Sequence, residues 1–297
     1  MLATITFVAL ACLAPQSPER GAGKSPARPQ PLRVITYNVH AWGPVASTAE
    51  GKQRIRQIQS RGQLLPRLAL ELQLHQPDVI ALQEAHSEAK VKELAGLLEM
   101  DYAYFPGGWK GKGWREGISG AILSSRKILA RENRPSMDPL VAEDKLFSRC
   151  FGRVVIEHGG KEVAVYCAHM LPSWENTTHI REAELQAITV ASNKDLAAGR
   201  SVLVMGDMNH DTEAPEYRLW QKAGLVDTAR QLHRDKALLT CPSENAKERI
   251  DFVFVAGPLT QRLRAARALQ DGAFMVREKL GSPFALSDHI PVFAEFR

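Results

Sequence analysis

Short apolar runs that each break off at a cluster of Asn, Glu, His or Asp are what most constrain the fold of this chain. Val34-Ile35-Thr36-Tyr37 ends at Asn38, Val79-Ile80-Ala81-Leu82 at Gln83-Glu84, and Val163-Ala164-Val165-Tyr166-Cys167-Ala168 at His169. Val202-Leu203-Val204-Met205 runs into Gly206-Asp207-Met208-Asn209, and Ser287-Asp288-His289 precedes Ile290-Pro291-Val292-Phe293. Runs this short and this rich in β-branched residues read as buried strands rather than helices. A polar group directly after such a strand sits where the chain leaves a core, a good position for chemistry. Several strand ends therefore offer hard oxygen and imidazole groups of the kind that serve a divalent cation, an aligned water and a proton carrier.

Between the runs, the pattern alternates with helical spacing. After a strand at 32–37, Ile55, Ile58, Leu65, Leu68 and Leu72 fall on one face of a helix that stops at His75-Gln76-Pro77-Asp78. A strand at 79–82, a short helix at 88–98 and a strand at 102–105 follow, and such a start implies a sheet covered by helices. The middle is richer in β signals, at 118–123, 147–157 and 163–168, the last two joined by a Gly159-Gly160 turn. A helix at about 178–198 and strands at 201–205, 250–255 and 290–296 complete a mixed α/β chain with many antiparallel pairs.

The 297 residues, 44% hydrophobic, contain no inner Pro/Gly/Ser-rich linker, and a single domain over 32–297 is expected. Residues 1–14 are apolar and end in small residues, and 15–31 are rich in Pro, Gly, Ser, Arg and Lys without periodicity. They read as a signal peptide and a disordered linker, and hence as export; a mis-assigned start, or a lipid-attachment site at Cys12, are the other readings. The apolar run is too short to span a bilayer. The formal charge of +5 is mildly basic, compatible with a polyanionic substrate. Cys150, Cys167 and Cys241 have no C-x-x-C spacing and no His cluster, so a zinc site is not expected. The hairpin register places Cys150 across from His169 and diagonal to Cys167, as buried free thiols or a diagonal disulfide.

Each candidate also has an ordinary structural reading. Glu84 alone could be an acid near a helix N-terminus, and G-D-x-N alone is a turn in which Asp and Asn cap their own backbone. A lone His before a strand is more often structural. Arg149 and Arg153 are candidate phosphate clamps or surface charges. The segment Gly107-Gly108-Trp109-Lys110-Gly111-Lys112-Gly113-Trp114-Arg115 is basic and aromatic, suited to stacking on a base, gripping phosphate or touching lipid through Trp109 and Trp114.

Taken in order, Thr36-Tyr37-Asn38-Val39, Gln83-Glu84, Ala168-His169, Gly206-Asp207-Met208-Asn209, Arg249-Ile250-Asp251-Phe252 and Ser287-Asp288-His289 resemble the motif series of the endonuclease/exonuclease/phosphatase superfamily. That group includes DNase I, abasic-site endonucleases, inositol polyphosphate 5-phosphatases and neutral sphingomyelinases. The resemblance implies two stacked mixed β-sheets flanked by helices, a four-layer αββα sandwich, with the site at one mouth. It implies Mg²⁺, with Mn²⁺ as a substitute, held by Glu84 with Asn38 and Asp288. It makes Asp207 and Asn209 the pair that handles the attacking water, His169 a donor to phosphate, and Asp251 the group that orients His289. Whether Asp207 or His289 is the base stays open, as does one metal against two. The expected reaction is direct water attack on a phosphodiester, or a phosphomonoester, by a monomer. An exported nuclease comes first, a phospholipid or sphingolipid diesterase second, and a non-catalytic binding relative last. Gly120 and Ser125 depart from the family pattern, where Asn and Arg are frequent, which leaves fine specificity open.

Overall fold

The structure is a computed structural model that describes residues 30–108, 117–135, 146–173, 177–233, 238–277, 281 and 283–297. Two six-stranded sheets lie face to face. The first holds β1 (Leu32–Asn38), β2 (Val79–Gln83), β3 (Asp101–Phe105), β4 (Gly120–Ser124), β11 (Leu263–Ala268) and β12 (Val292–Phe296), in the order β11-β12-β1-β2-β4-β3. The second holds β5 (Ile128–Asn133), β6 (Phe151–His158), β7 (Lys161–His169), β8 (Ser201–Asp207), β9 (Val226–Asp227) and β10 (Asp251–Ala256), in the order β5-β6-β7-β8-β10-β9. Each has one parallel pair at its centre, β1 with β2 and β7 with β8, among antiparallel neighbours.

Alternation along the strands builds three cores. Val34, Ala81 and Ile122 face Val165, Leu203 and Val253 between the sheets. Ile35, Leu82 and Leu123 face outward onto Ile58, Leu68, Leu72 and Val91 of α1 (Ala49–Ser60), α2 (Leu64–Gln73) and α3 (Glu88–Leu97). On the far side Val204, Phe252 and Phe254 pack against Ile188 and Trp220 of α4 (Thr178–Ala197) and α5 (Pro215–Lys222). The outcome is the αββα sandwich, with central strands buried on both faces as their unbroken apolar runs require.

Several sequence expectations are corrected. The single helix carrying Ile55 to Leu72 is two, because Gly62 turns to φ +63 after α1 and the chain restarts at Leu64. The strand expected from 147 begins at Phe151; Phe147 lies at φ +51 and its N–H is taken by a side chain of α4. β5, β9, β11, α5 and α6 (Thr228–Leu232) carried no clear periodicity and were not expected. Cys150 and Cys167 are buried free thiols with Sγ atoms 3.9 Å apart, in the expected diagonal register. A Cβ on Gly120 would lie 2.4 Å from Cys150 Sγ, so the departure at Gly120 makes room for this thiol. Ser125 follows β4 at the end paired with Val79, opposite to the end where Gly120 faces Gln83, and lines no strand-end cluster. Trp109 and Trp114, the signal peptide at 1–14 and nearly all of the linker at 15–31 lie outside the described residues.

Candidate active site

Register alone brings the second sheet's candidates into a row. His169 ends β7 opposite Asp207, which ends β8, and Asp207 is opposite Asp251, the first residue of antiparallel β10. Gly206 lets β8 approach this closely, since a Cβ there would lie 1.7 Å from the Ala168 carbonyl oxygen. In the first sheet Asn38 ends β1 beside Gln83, and Glu84 follows in the left-handed region at φ +54. Ser287 ties the last cluster in, donating to the Asn38 carbonyl at 2.7 Å and accepting from the His289 N–H at 3.1 Å.

The sheets meet at one carboxylate oxygen. Asp207 Oδ2 accepts from Asn38 Nδ2 at 3.0 Å and lies 3.4 Å from His169 Nε2 and 3.7 Å from His289 Nε2. Its other oxygen accepts the Asn209 N–H at 2.9 Å. Asn38 Nδ2 also reaches Glu84 Oε1 at 3.2 Å, while its Oδ1 is held by the His40 N–H at 2.9 Å. His289 Nδ1 pairs with Asp251 Oδ2 at 2.9 Å, and Asp288 Oδ1 lies 4.0 Å from His289 Nε2. Asp207, Asp251, His169 and His289 are buried, whereas the Asp288 side chain is 36% exposed and Glu84 is half-buried.

Burial and neighbouring charge divide these groups. Burial raises Asp207's pKa to about 7, partly opposed by His289. Burial opposes charge on His289, yet Asp251 beside it lifts the imidazole well above its ordinary value. Burial, with Arg149 and His289 nearby, pushes His169 well below the usual histidine range and keeps it neutral. Arg149 is largely buried and feels Asp207 and Glu84.

Arg153 does not join the site. Its guanidinium forks onto Asp195 of α4, and it sits opposite Tyr166, some three residues and therefore about 10 Å up the strand from His169. The side chain of Asn209 is bound to the Met170 carbonyl at 2.9 Å, so its contact with Asp207 runs through the backbone N–H. His40 was not singled out by sequence. It opens a turn in which His40, Ala41 and Trp42 all take φ between +46 and +65, and its Nε2 lies 3.7 Å from Asp288 Oδ2. Nothing in the spacing of residues around Asn38 marks it.

Asp207, Asp251 and His289 offer ligand atoms within 4.8 Å of one another. Four carboxylates, Glu84, Asp207, Asp251 and Asp288, converge beside Arg149 and His289, and this excess of hard negative oxygen fits a divalent cation. A His289 kept as imidazolium by Asp251 is no metal ligand, so the partly open Glu84 and Asp288 side suits the ion better; the expected ligand Asn38 instead turns its Nδ2 donors to Glu84 and Asp207, with its Oδ1 on the His40 N–H.

A two-sheet sandwich with an Asp–His pair and metal-suited oxygens at one mouth is the architecture of DNase I-like phosphoric ester hydrolases. The sequence profile described as the Endonuclease/Exonuclease/phosphatase family matches residues 53–289, and the chain belongs to that family, whose members are generally dependent on divalent metals. It is an enzyme of the phosphoric ester hydrolase class. Among solved structures, an endonuclease/exonuclease/phosphatase family protein from Leptotrichia buccalis superposes with TM-score 0.65 at 18% identity, over 90% of this chain and 99% of that one. The human Nocturnin catalytic domain with bound sulfate gives 0.65 at 19%, over 91% and 93%. A mannosyl-6-phosphatase from Bacteroides thetaiotaomicron gives 0.64 at 20%, over 89% and 98%. No curated protein sequence shows a significant match to the chain. Among the described residues no helix is long and apolar enough to cross a membrane.

Proposed function

We propose that the chain is an exported, monomeric Mg²⁺-dependent phosphodiesterase, a nuclease in the first instance, that cleaves its substrate by direct attack of water. The observation that carries this reading is the convergence of Asn38, His169 and His289 on one buried oxygen of Asp207. Glu84 and Asp288 would hold the ion, which when bound would neutralise phosphate charge and polarise the ester, while Asn38 fixes the Glu84 and Asp207 carboxylates. Asp207, with its pKa raised to about 7, takes a proton from the attacking water as the base. Asn209 fixes that carboxylate through its N–H. His289, held charged by Asp251, stabilises the negative charge that develops on phosphorus-bound oxygens, and neutral His169 and Arg149 add donors beside it.

Export rests on the leader, and preference for nucleic acid on the basic Trp109 to Trp114 segment. The mannosyl-6-phosphatase among the structural neighbours marks a phosphomonoester as the finer alternative. The test is nicking of supercoiled plasmid by the leader-free protein with Mg²⁺, beside EDTA and His289→Ala. Nicking that needs both metal and His289 is expected. Metal-dependent cleavage of a phosphomonoester or a phospholipid instead of DNA would replace the nuclease reading, and turnover untouched by His289→Ala would overturn the site.

A further inference from the structure

Helix α4 presents two fully buried charged residues, Arg181 and Glu184, one turn apart to the underside of the site. Glu184 accepts the Phe147 N–H at 3.0 Å through Oε1 and the Leu171 N–H at 2.9 Å through Oε2. Arg181 donates to the Leu171 carbonyl, to the Met208 carbonyl at 3.5 Å, and to Glu216 of α5 at 2.7 Å. Leu171 is thus gripped at both its N–H and its C=O. The gripped residues belong to three loops of the site: Phe147 lies two before Arg149, Leu171 two after His169, and Met208 between Asp207 and Asn209.

The loops are also laced to one another, with Met170 N–H on the Asp207 carbonyl at 3.0 Å and Asn209 Nδ2 on the Met170 carbonyl at 2.9 Å. Burying two charges is costly, and an apolar pair would fill the space without that cost. What an apolar pair cannot do is satisfy four backbone groups at places where the strand ladders have ended. Nor could it hold Phe147 at φ +51, a backbone conformation that persists only when its surroundings impose it.

We propose that Glu184 and Arg181 are positioning residues that lock the loops bearing Arg149, His169 and Asp207–Asn209 into the arrangement in which those groups meet one phosphate. This deepens the phosphodiesterase reading and rests on it. Neither residue touches the reacting atoms. Glu84, Asn38 and Asp288 come from the other sheet and its connections, outside the grip of α4.

Glu184→Gln keeps the shape but leaves one acceptor and turns an N–H donor onto the second backbone N–H, releasing one loop. With bis(p-nitrophenyl) phosphate and saturating Mg²⁺, kcat falls about tenfold or more while half-saturating Mg²⁺ stays unchanged. Arg181→Lys keeps the charge toward Glu216, loses the fork to Leu171 and Met208, and does the same. A cycle with a background that lacks both groups Glu184 places, Arg149→Met with His169→Ala, separates positioning from general weakening. Glu184→Gln is then nearly silent in that background, whereas a merely structural effect lowers kcat by the same factor in both. The same factor in both backgrounds, or an unchanged kcat in Glu184→Gln, overturns the proposal. If the unmutated protein leaves the ester intact, the phosphodiesterase reading fails on its own, and amide hydrogen exchange decides the positioning. Faster exchange at 147 and 171 with β7 and β8 unchanged supports it; uniform acceleration, or none, overturns it.

Discussion

At the scale of single residues, the division between Asp207 and His289 is set by what each is buried against. Asp251 faces His289 at 2.9 Å and keeps it charged, while Asp207 is buried among amide and backbone donors. His289→Ala is expected to lower kcat by about 10²- to 10⁴-fold, and Asp251→Asn to do nearly as much by lowering the imidazole's pKa. The acid limb of the kcat/KM profile belongs to Asp207: activity rises with pH as the carboxylate ionises, with a midpoint at or below about 7, because a cation at Glu84 favours the charged form. A profile flat from pH 5 to 8 would remove Asp207 as base. Asn38, Glu84, His169, Asp207, Asp251, Asp288 and His289 were legible in the sequence because each sits at or beside the end of an apolar run. His40 was not. Its place follows from a left-handed turn that keeps the Asn38 amide pointed at Glu84 and Asp207, and nothing in residue spacing announces such a turn.

At the scale of elements, β6 and the residues just before it carry two arginines with opposite fates. Arg149 precedes the strand and lies toward Asp207 and Glu84; Arg153 is inside it and bonded to Asp195, which also accepts from Tyr166. Arg149→Met should therefore raise KM and lower kcat for the ester with little change in melting temperature. Arg153→Met should leave turnover nearly intact and cost about 2 kcal/mol of stability, since Asp195 loses its fork but keeps Tyr166 and Arg200. Urea unfolding beside steady-state rates reads both, and the reverse pattern would exchange the two roles. Sequence alone placed the two arginines equally because strand alternation gives them the same parity. Only the start of the strand at Phe151, and the reach of Asp195 on α4 to Arg153, separate them. The same limit hid β5 and β11: edge strands with exposed, charged faces carry a weak alternation, whereas the buried central strands were plain.

At the scale of the whole molecule, the convergence of carboxylates makes stability depend on metal and pH together. Without metal, Asp207 and Glu184 have pKa values raised by burial to about 7, so the folded state holds their protons more tightly than the unfolded chain does. Their contribution is fully present below the unfolded values near 4 and is lost as pH rises through 7. His169 works the other way: it is buried neutral, and its contribution is lost as pH falls below 6.5. Between pH 6.5 and 8 His289, which keeps its proton in the folded state while the unfolded chain sheds it, acts in the same direction as the carboxylates, and in EDTA the protein should become less stable, with Glu184 supplying roughly 1 kcal/mol of the loss. Added Mg²⁺ should raise the melting temperature at pH 8 by mass action, through ligands that the folded state alone assembles. Glu84→Gln should abolish most of that rise while leaving the EDTA melting curve almost unchanged. Glu184→Gln should flatten the pH dependence yet keep the response to Mg²⁺, because α4 and the ion act on opposite sheets. Melting curves at pH 6.5 and 8, each with EDTA and with Mg²⁺, separate the two effects. A Glu84→Gln protein that still gains full stability from Mg²⁺ would move the ion to the Asp207, Asp251 and His289 cluster, and with it the assignment of His289 as the charged partner.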